Sequence, residues 1–124
     1  MTIIEPVILI NINRNYRPNM SVHAIYDATH SAWKVDAKRD KPDDAMGIHG
    51  GIVREVFAIS TWIEGGTTMQ HDDRDGRPHI REGRWEFVGQ VAEEDIRKKY
   101  LGKSVAHDFK PGAQNPIMYI NCGQ

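Results

Sequence analysis

Three groups of histidine and aspartate in this 124-residue chain have the chemistry of metal ligands or acid–base catalysts. His23, Asp27 and His30 recur at the spacing of one helix face, which would let two imidazoles and a carboxylate meet a divalent ion. The other two groups lie within residues 71–79 and at residues 107–108. Their spacing matches no specific ligand motif, and a solvated polar face is the commoner arrangement. The sequence therefore predicts no catalytic residue, no metal ligand and no cofactor.

Aromatic, basic and amide side chains indicate a different chemistry. An indole beside an arginine or lysine can stack an unpaired base while the cation holds a phosphate, and an amide group can read a base edge. Tryptophans are more often packing residues, so the hypothesis requires that at least one of them lines a cleft beside a cation. The candidate nucleic-acid-binding residues are Arg14, Asn15, Trp33, Arg54, Trp62, Arg84, Trp85, Lys103, Gln114 and Asn115.

The composition is that of one soluble domain spanning residues 1–124. Hydrophobic residues make up 40% of the chain and charged residues 27%, and the formal net charge is -1. This balance gives no global basic signature for nucleic acid, although a local basic patch is compatible with it. The single cysteine, Cys122, fits a reducing compartment, and the apolar run near the N-terminus is too short to span a membrane. We therefore predict a cytoplasmic protein with no membrane partner.

The candidate residues must be positioned by a sheet, and residues 50–62 are predicted to be its central strand. Alternation along this run places Ile52, Val56, Ala58 and Trp62 on one face and Val53, Phe57 and Ile59 on the other. Both faces are therefore expected to be covered. Arg54 and Glu55 interrupt the pattern, one on each face, which predicts either a polar pocket in a curled sheet or a charge at a sheet edge.

Further elements follow from hydrophobic periodicity, caps and chain breakers. Strands are predicted at residues 6–13, 83–89 and 117–121, and helices at residues 22–33 and 92–101. The first helix is capped by Ser21 and places Val22, Ile25, Tyr26, Thr29 and Trp33 in one stripe against the sheet. In the second helix, acidic residues at the start and basic residues at the end form three i,i+4 pairs. Residues 34–44 and 64–82 are predicted to be exposed connections.

Several segments resemble those of a family of small uncharacterised bacterial proteins: Asn13–Arg14, Ala32–Lys34, Gly51–Val56, Gly83–Gly89, Tyr100–Val105 and Gly112–Ile117. More remotely, the order of elements is similar to the PUA-like group, with its EVE, ASCH and YTH relatives. That resemblance implies a curled five- or six-stranded β-barrel with helices packed outside. It also implies binding of RNA, or of DNA with modified bases, in an aromatic pocket.

Together these features predict an α+β domain with a curled mixed sheet or small PUA-like pseudo-barrel and two main helices outside it. The predicted function is a non-catalytic nucleic-acid-binding module for RNA or DNA, with modified or unpaired bases as targets. A metal-dependent hydrolase or nuclease is one alternative. A domain that binds a small ligand or another protein is the other.

Overall fold

The computed structural model describes residues 3–13, 16–30, 33, 35, 37–65, 81–106 and 116–123. These residues form five strands: β1 (Val7–Asn11), β2 (Asp44–His49), β3 (Ile52–Gly65), β4 (Arg81–Val91) and β5 (Ile117–Ile120). They also form two α-helices, α1 (Val22–His30) and α2 (Glu94–Tyr100), and a short 3-10 helix at Ala37–Asp40. No helix among these residues is long and apolar enough to cross a membrane.

The strands make one mixed sheet in the order β4-β3-β2-β1-β5. β1 and β2 are parallel, whereas the pairs β1–β5, β2–β3 and β3–β4 are antiparallel. The predicted α+β class is confirmed, but the sheet is not closed within the described part of the chain. The central strand is β2 rather than β3. The sequence did not predict β2 because Asp44, Gly47 and His49 interrupt its apolar pattern.

The sheet is covered on both faces, as the central run predicted. One hydrophobic cluster contains Val53 and Val56 of β3 together with Tyr100 of α2. The other contains Phe57 of β3 and Phe87 of β4 together with Ile25 of α1. The predicted assignment of residues to faces was wrong, because Val53 and Val56 share a cluster. Trp62 packs with Phe57 rather than with Val56.

Two β-bulges in β3 explain this difference. Gly47 pairs with Glu55 and Ile48 pairs with Val53, which leaves Arg54 as an extra residue. Gly89 pairs with Ile59 and Val88 pairs with Thr61, so Ser60 is a second extra residue. Each bulge shifts the alternation by one position, and every side chain beyond it changes face.

The helix α1 begins as predicted, because the Ser21 hydroxyl accepts a hydrogen bond from the Ala24 N–H at 3.1 Å. It ends at His30, three residues earlier than predicted, and Trp33 pairs instead with β4. Ile25 and Thr29 face the sheet, but Val22 is exposed. His30, predicted on the polar face, is buried with only 3% of its surface exposed.

The helix α2 is fixed to the sheet by charged groups. Arg97 donates to both carboxylate oxygens of Glu55, at 2.8 and 3.1 Å, and Lys99 donates to Glu5 at 2.7 Å. The Tyr100 hydroxyl also donates to Glu5. These contacts differ from the predicted i,i+4 pairs within the helix. Glu55 does not face a pocket or reach water at an edge; it is 2% exposed and carries the buried half of an ion pair.

Asp44 begins β2 as a buried carboxyl group, 8% exposed. Burial, together with the negative charges of Asp43, Glu5 and Glu93, raises the pKa of this carboxyl from 3.8 to about 6. Because the folded-state pKa lies above the unfolded value, the folded protein binds more protons between these two values. Stability from this group is therefore lost as the pH rises through about 6.

We expect Asp44→Asn to raise the free energy of unfolding by about 2 kcal/mol at pH 8 and by little at pH 4, since the amide is never charged. Denaturant unfolding of parent and variant across this pH range measures the difference. Asp40→Asn, an exposed acid in the 3-10 helix, is the control. A difference for Asp44→Asn that does not change with pH would contradict this electrostatic explanation.

Candidate nucleic-acid interface

Three tryptophans come together around the outer half of the β3–β4 hairpin. Trp33 and Trp85 exchange both backbone hydrogen bonds at 2.9 Å, so their side chains are neighbours on one face of the sheet. Trp62 pairs with Phe87 in β4, and alternation puts Phe87 on the same face as Trp85. We call this surface, formed by Trp33, Trp62 and Trp85, the tryptophan face.

An arginine that the sequence did not single out lies against this face. The guanidinium carbon of Arg39 is 3.8 Å from the centre of the Trp85 ring. This is the geometry of a cation–π contact, in which the positive charge faces the negative ring surface. Arg84, beside Trp85 in the chain, is half-buried, as are Trp85 and Arg39. The tryptophan face therefore joins indole surfaces to guanidinium charge.

Trp62 packs against the hydrophobic cluster that contains Phe57 and Phe87. Its ring meets Phe87 in an edge-to-face contact with centroids 5.5 Å apart. The indole N–H of Trp62 is buried and has no hydrogen-bond acceptor among the described residues. A buried donor without an acceptor costs about 1 to 3 kcal/mol. The indole N–H of Trp62 is thus a hydrogen-bond donor for which the described part of the chain supplies no acceptor.

A buried histidine–glutamate pair joins the end of α1 to β4, next to the tryptophan face. His30 Nε2 lies 3.3 Å from Glu86 Oε2, and the two side chains are 3% and 0% exposed. His30 Nδ1 lies 3.0 Å from the Tyr26 carbonyl oxygen and 3.2 Å from that of Asp27. Because carbonyl oxygens only accept, Nδ1 carries a proton. This pair fixes the end of α1 just before the chain reaches Trp33.

Tyr26 joins the same helix to the edge of β4. Its hydroxyl donates to the Phe87 carbonyl at 3.3 Å and accepts from the Gly89 N–H at 3.1 Å. The ring stacks on His30, with centroids 4.6 Å apart and planes 10° apart. These roles of Tyr26 were not predicted, because its partners on β4 are distant in the chain.

The predicted site residues do not form one pocket. Trp33, Trp62 and Trp85 lie at the tryptophan face and Arg84 is the neighbour of Trp85 along β4, whereas Arg54 lies at the other end of β3. Arg54 and Trp62 are separated by eight residues of strand, or roughly 26 Å at 3.3 Å per residue.

Lys103 belongs to the end near Arg54, because its carbonyl oxygen accepts from the Val53 N–H at 3.0 Å. Its side chain is exposed. The other four candidates, Arg14, Asn15, Gln114 and Asn115, lie outside the described residues.

The first histidine group does not converge. His23 and Asp27 are 3.6 Å apart, but His23 is 85% exposed while His30 turns inward to Glu86. Residues 71–79 and 107–108 lie outside the described part of the chain. Within that part, no three histidine, cysteine or acidic side chains are placed to hold a metal ion.

Comparison with protein-family models, with curated proteins and with solved structures finds no match for this chain.

Proposed function

We propose that this protein is a non-catalytic nucleic-acid-binding module that holds unpaired bases at the tryptophan face. The observation that carries the proposal is the stacking of Arg39 on Trp85, beside Trp33 on the same face. Proteins recognise unpaired bases by stacking them on aromatic rings and on guanidinium planes. Arg39 and Trp85 supply both kinds of surface in one column.

A base can extend this column by stacking on the outer surface of the Arg39 guanidinium, or it can take the place of Arg39 on the Trp85 ring. In either arrangement the positive charge stays close to the phosphates that flank the base. Two backbone hydrogen bonds hold Trp33 and Trp85 side by side, which lowers the conformational entropy lost when a base binds there. The PUA-like relationship and a cytoplasmic location stay predictions from the sequence, which does not choose between RNA and DNA.

We expect Trp85→Ala to weaken binding of short single-stranded RNA or DNA roughly tenfold to a hundredfold, because stacking of one base contributes about 1 to 3 kcal/mol. Fluorescence anisotropy at two salt concentrations measures the loss, and tryptophan quenching in the same samples reports stacking. Trp85→Phe should keep much of the affinity, since it retains an aromatic face.

Lys98→Gln is the matched control, because Lys98 is an exposed cation on α2, away from the tryptophan face. It should lower binding only slightly. The proposal fails if parent protein binds no oligonucleotide at low salt, or if folded Trp85→Ala binds as tightly as the parent.

A further inference from the structure

A second group of side chains surrounds the tight turn between β2 and β3. The turn residues Gly50 and Gly51 have φ values of 59° and 74°, and His49 pairs with Ile52 across them. This is the backbone of a two-residue hairpin turn, which needs positive φ at both central positions. Asn13 supports the turn from the end of β1, because its side-chain oxygen accepts from the Gly50 N–H at 3.1 Å.

Arg54 is held rigidly beside this turn by the bulge it creates. Its Nε donates to the His49 carbonyl at 3.3 Å, and its guanidinium carbon lies 4.9 Å from the centre of the Tyr16 ring. Tyr16 in turn stacks on the His49 ring, with centroids 4.5 Å apart and planes 27° apart. We call Tyr16, His49 and Arg54 the turn cluster. Two contacts thus orient the guanidinium before any ligand arrives.

Among the residues that the structure describes, the guanidinium of Arg54 has no carboxylate partner. No carboxylate among the described residues lies within ion-pair distance, and its two terminal nitrogens donate to no described protein atom. Two parallel N–H groups of an arginine match two oxygens of a phosphate or carboxylate. The two terminal nitrogens of Arg54, which donate to no atom in the described part of the chain, can therefore meet two oxygens of an oxyanion.

His49, which stacks on the same Tyr16 ring, carries a polar atom of unusual environment. Its Nδ1 is buried and has no hydrogen-bond partner within the described part of the chain. Buried polar atoms in native proteins are nearly always paired, and an unpaired one calls for a ligand or another explanation. An imidazole nitrogen that carries its proton can donate to an anionic oxygen.

We infer that the turn cluster binds a phosphate group, with the Arg54 guanidinium on two of its oxygens. The site is separate from the tryptophan face, at the opposite end of β3, so it does not rest on the function proposed above. The same chemistry fits inorganic phosphate, a phosphorylated small molecule or the backbone of a nucleic acid, and the experiment separates these sources.

The test is a titration of the ¹⁵N-labelled parent protein with inorganic phosphate, followed by NMR, with sodium chloride at equal ionic strength as the control. We expect saturable shifts of the His49 and Gly50 amides and of the His49 ring that chloride does not produce. The inference is overturned if these signals do not respond to phosphate, or respond equally to chloride.

The variant Arg54→Gln tests whether phosphate binds at the turn cluster rather than elsewhere on the protein. Arg54→Gln should weaken phosphate binding at least roughly tenfold, because the charged fork is lost. Lys98→Gln and Trp85→Ala, which lie away from the turn, should bind phosphate as the parent does. A folded Arg54→Gln that retains parental phosphate affinity overturns the inference. If this variant does not fold, the titration of the parent still decides.

Competition then assigns the source. A short oligonucleotide that displaces inorganic phosphate from the turn cluster identifies a backbone phosphate as the ligand. An oligonucleotide that binds without displacing phosphate assigns the site to free phosphate or a phosphorylated small molecule. Direct titration of Trp85→Ala with inorganic phosphate keeps the two sites distinct, because this variant should lose oligonucleotide affinity at the tryptophan face and still bind inorganic phosphate as the parent does.

Discussion

His30→Ala is expected to lower the free energy of unfolding by about 3 to 5 kcal/mol, because it leaves the carboxyl group of Glu86 buried without its imidazole partner. Both side chains are almost fully enclosed, so water cannot replace the lost contact without opening the packing around Phe87. Denaturant unfolding at neutral pH measures this change directly.

A second histidine on the same helix provides the control. His23 and Asp27 also form an imidazole–carboxylate contact, but His23 is 85% exposed. His23→Ala should therefore change the free energy of unfolding by less than about 0.5 kcal/mol. Equal effects of His30→Ala and His23→Ala would refute the structural importance of the buried pair.

The double variant His30→Phe with Glu86→Leu tests whether the pair itself stabilises the fold, or whether only the loss of one partner is destabilising. Replacing both partners by apolar groups removes the buried carboxyl group together with the imidazole, so this protein should be more stable than His30→Ala. Because the pair fixes α1 just before Trp33, His30→Ala should also weaken oligonucleotide binding if the tryptophan face is the interface.

Arg97→Ala is expected to cost about 3 kcal/mol, because Glu55 would stay buried within the sheet without the two hydrogen bonds that now neutralise it. The carboxylate of Glu55 and its hydrogen bonds raise the pKa of the Arg97 guanidinium, which shows that the contact favours the charged form. Loss of the arginine should also loosen α2 from β3. Hydrogen exchange of the α2 amides measures that effect.

The contact of Arg97 with Glu94 gives the comparison. It spans 3.3 Å on the helix surface, and Glu94 is 63% exposed. Glu94→Gln should therefore leave stability within about 0.5 kcal/mol of the parent. An Arg97→Ala variant that unfolds at the same denaturant concentration as Glu94→Gln would mean that water solvates Glu55 after the arginine is removed.

Local pattern predicted the strands that alternate cleanly and failed where tertiary contacts decide. The alternation of Trp85 and Phe87 with charged neighbours predicted β4, and Ser21 correctly marked the start of α1. β2 was missed because its burial comes from neighbours on both sides rather than from its own composition. Bulges such as that at Arg54 leave no periodic signal, so the faces of β3 were assigned wrongly.

For the candidate site too, some residues were predicted from the sequence and others were missed because tertiary contacts bring them together. Sequence reasoning selected Trp33 and Trp85, and the structure makes them neighbours. It also selected Arg54, which the length of β3 places far from both. Arg39 was missed because its contact with Trp85 joins segments that no spacing rule relates. His30 was predicted to be exposed because its partner, Glu86, lies far along the chain.

The hydroxyl group of Tyr26 has a consequence for association between chains. An edge strand such as β4 offers unpaired backbone groups to any extended segment that can lie alongside it, which is how many aggregates begin. Trp33 occupies the backbone groups of Trp85, and the Tyr26 hydroxyl occupies one carbonyl and one N–H further along, at Phe87 and Gly89. Trp33 and the Tyr26 hydroxyl thus cover part of the β4 edge, and a foreign strand would have to displace both before it could pair along this edge.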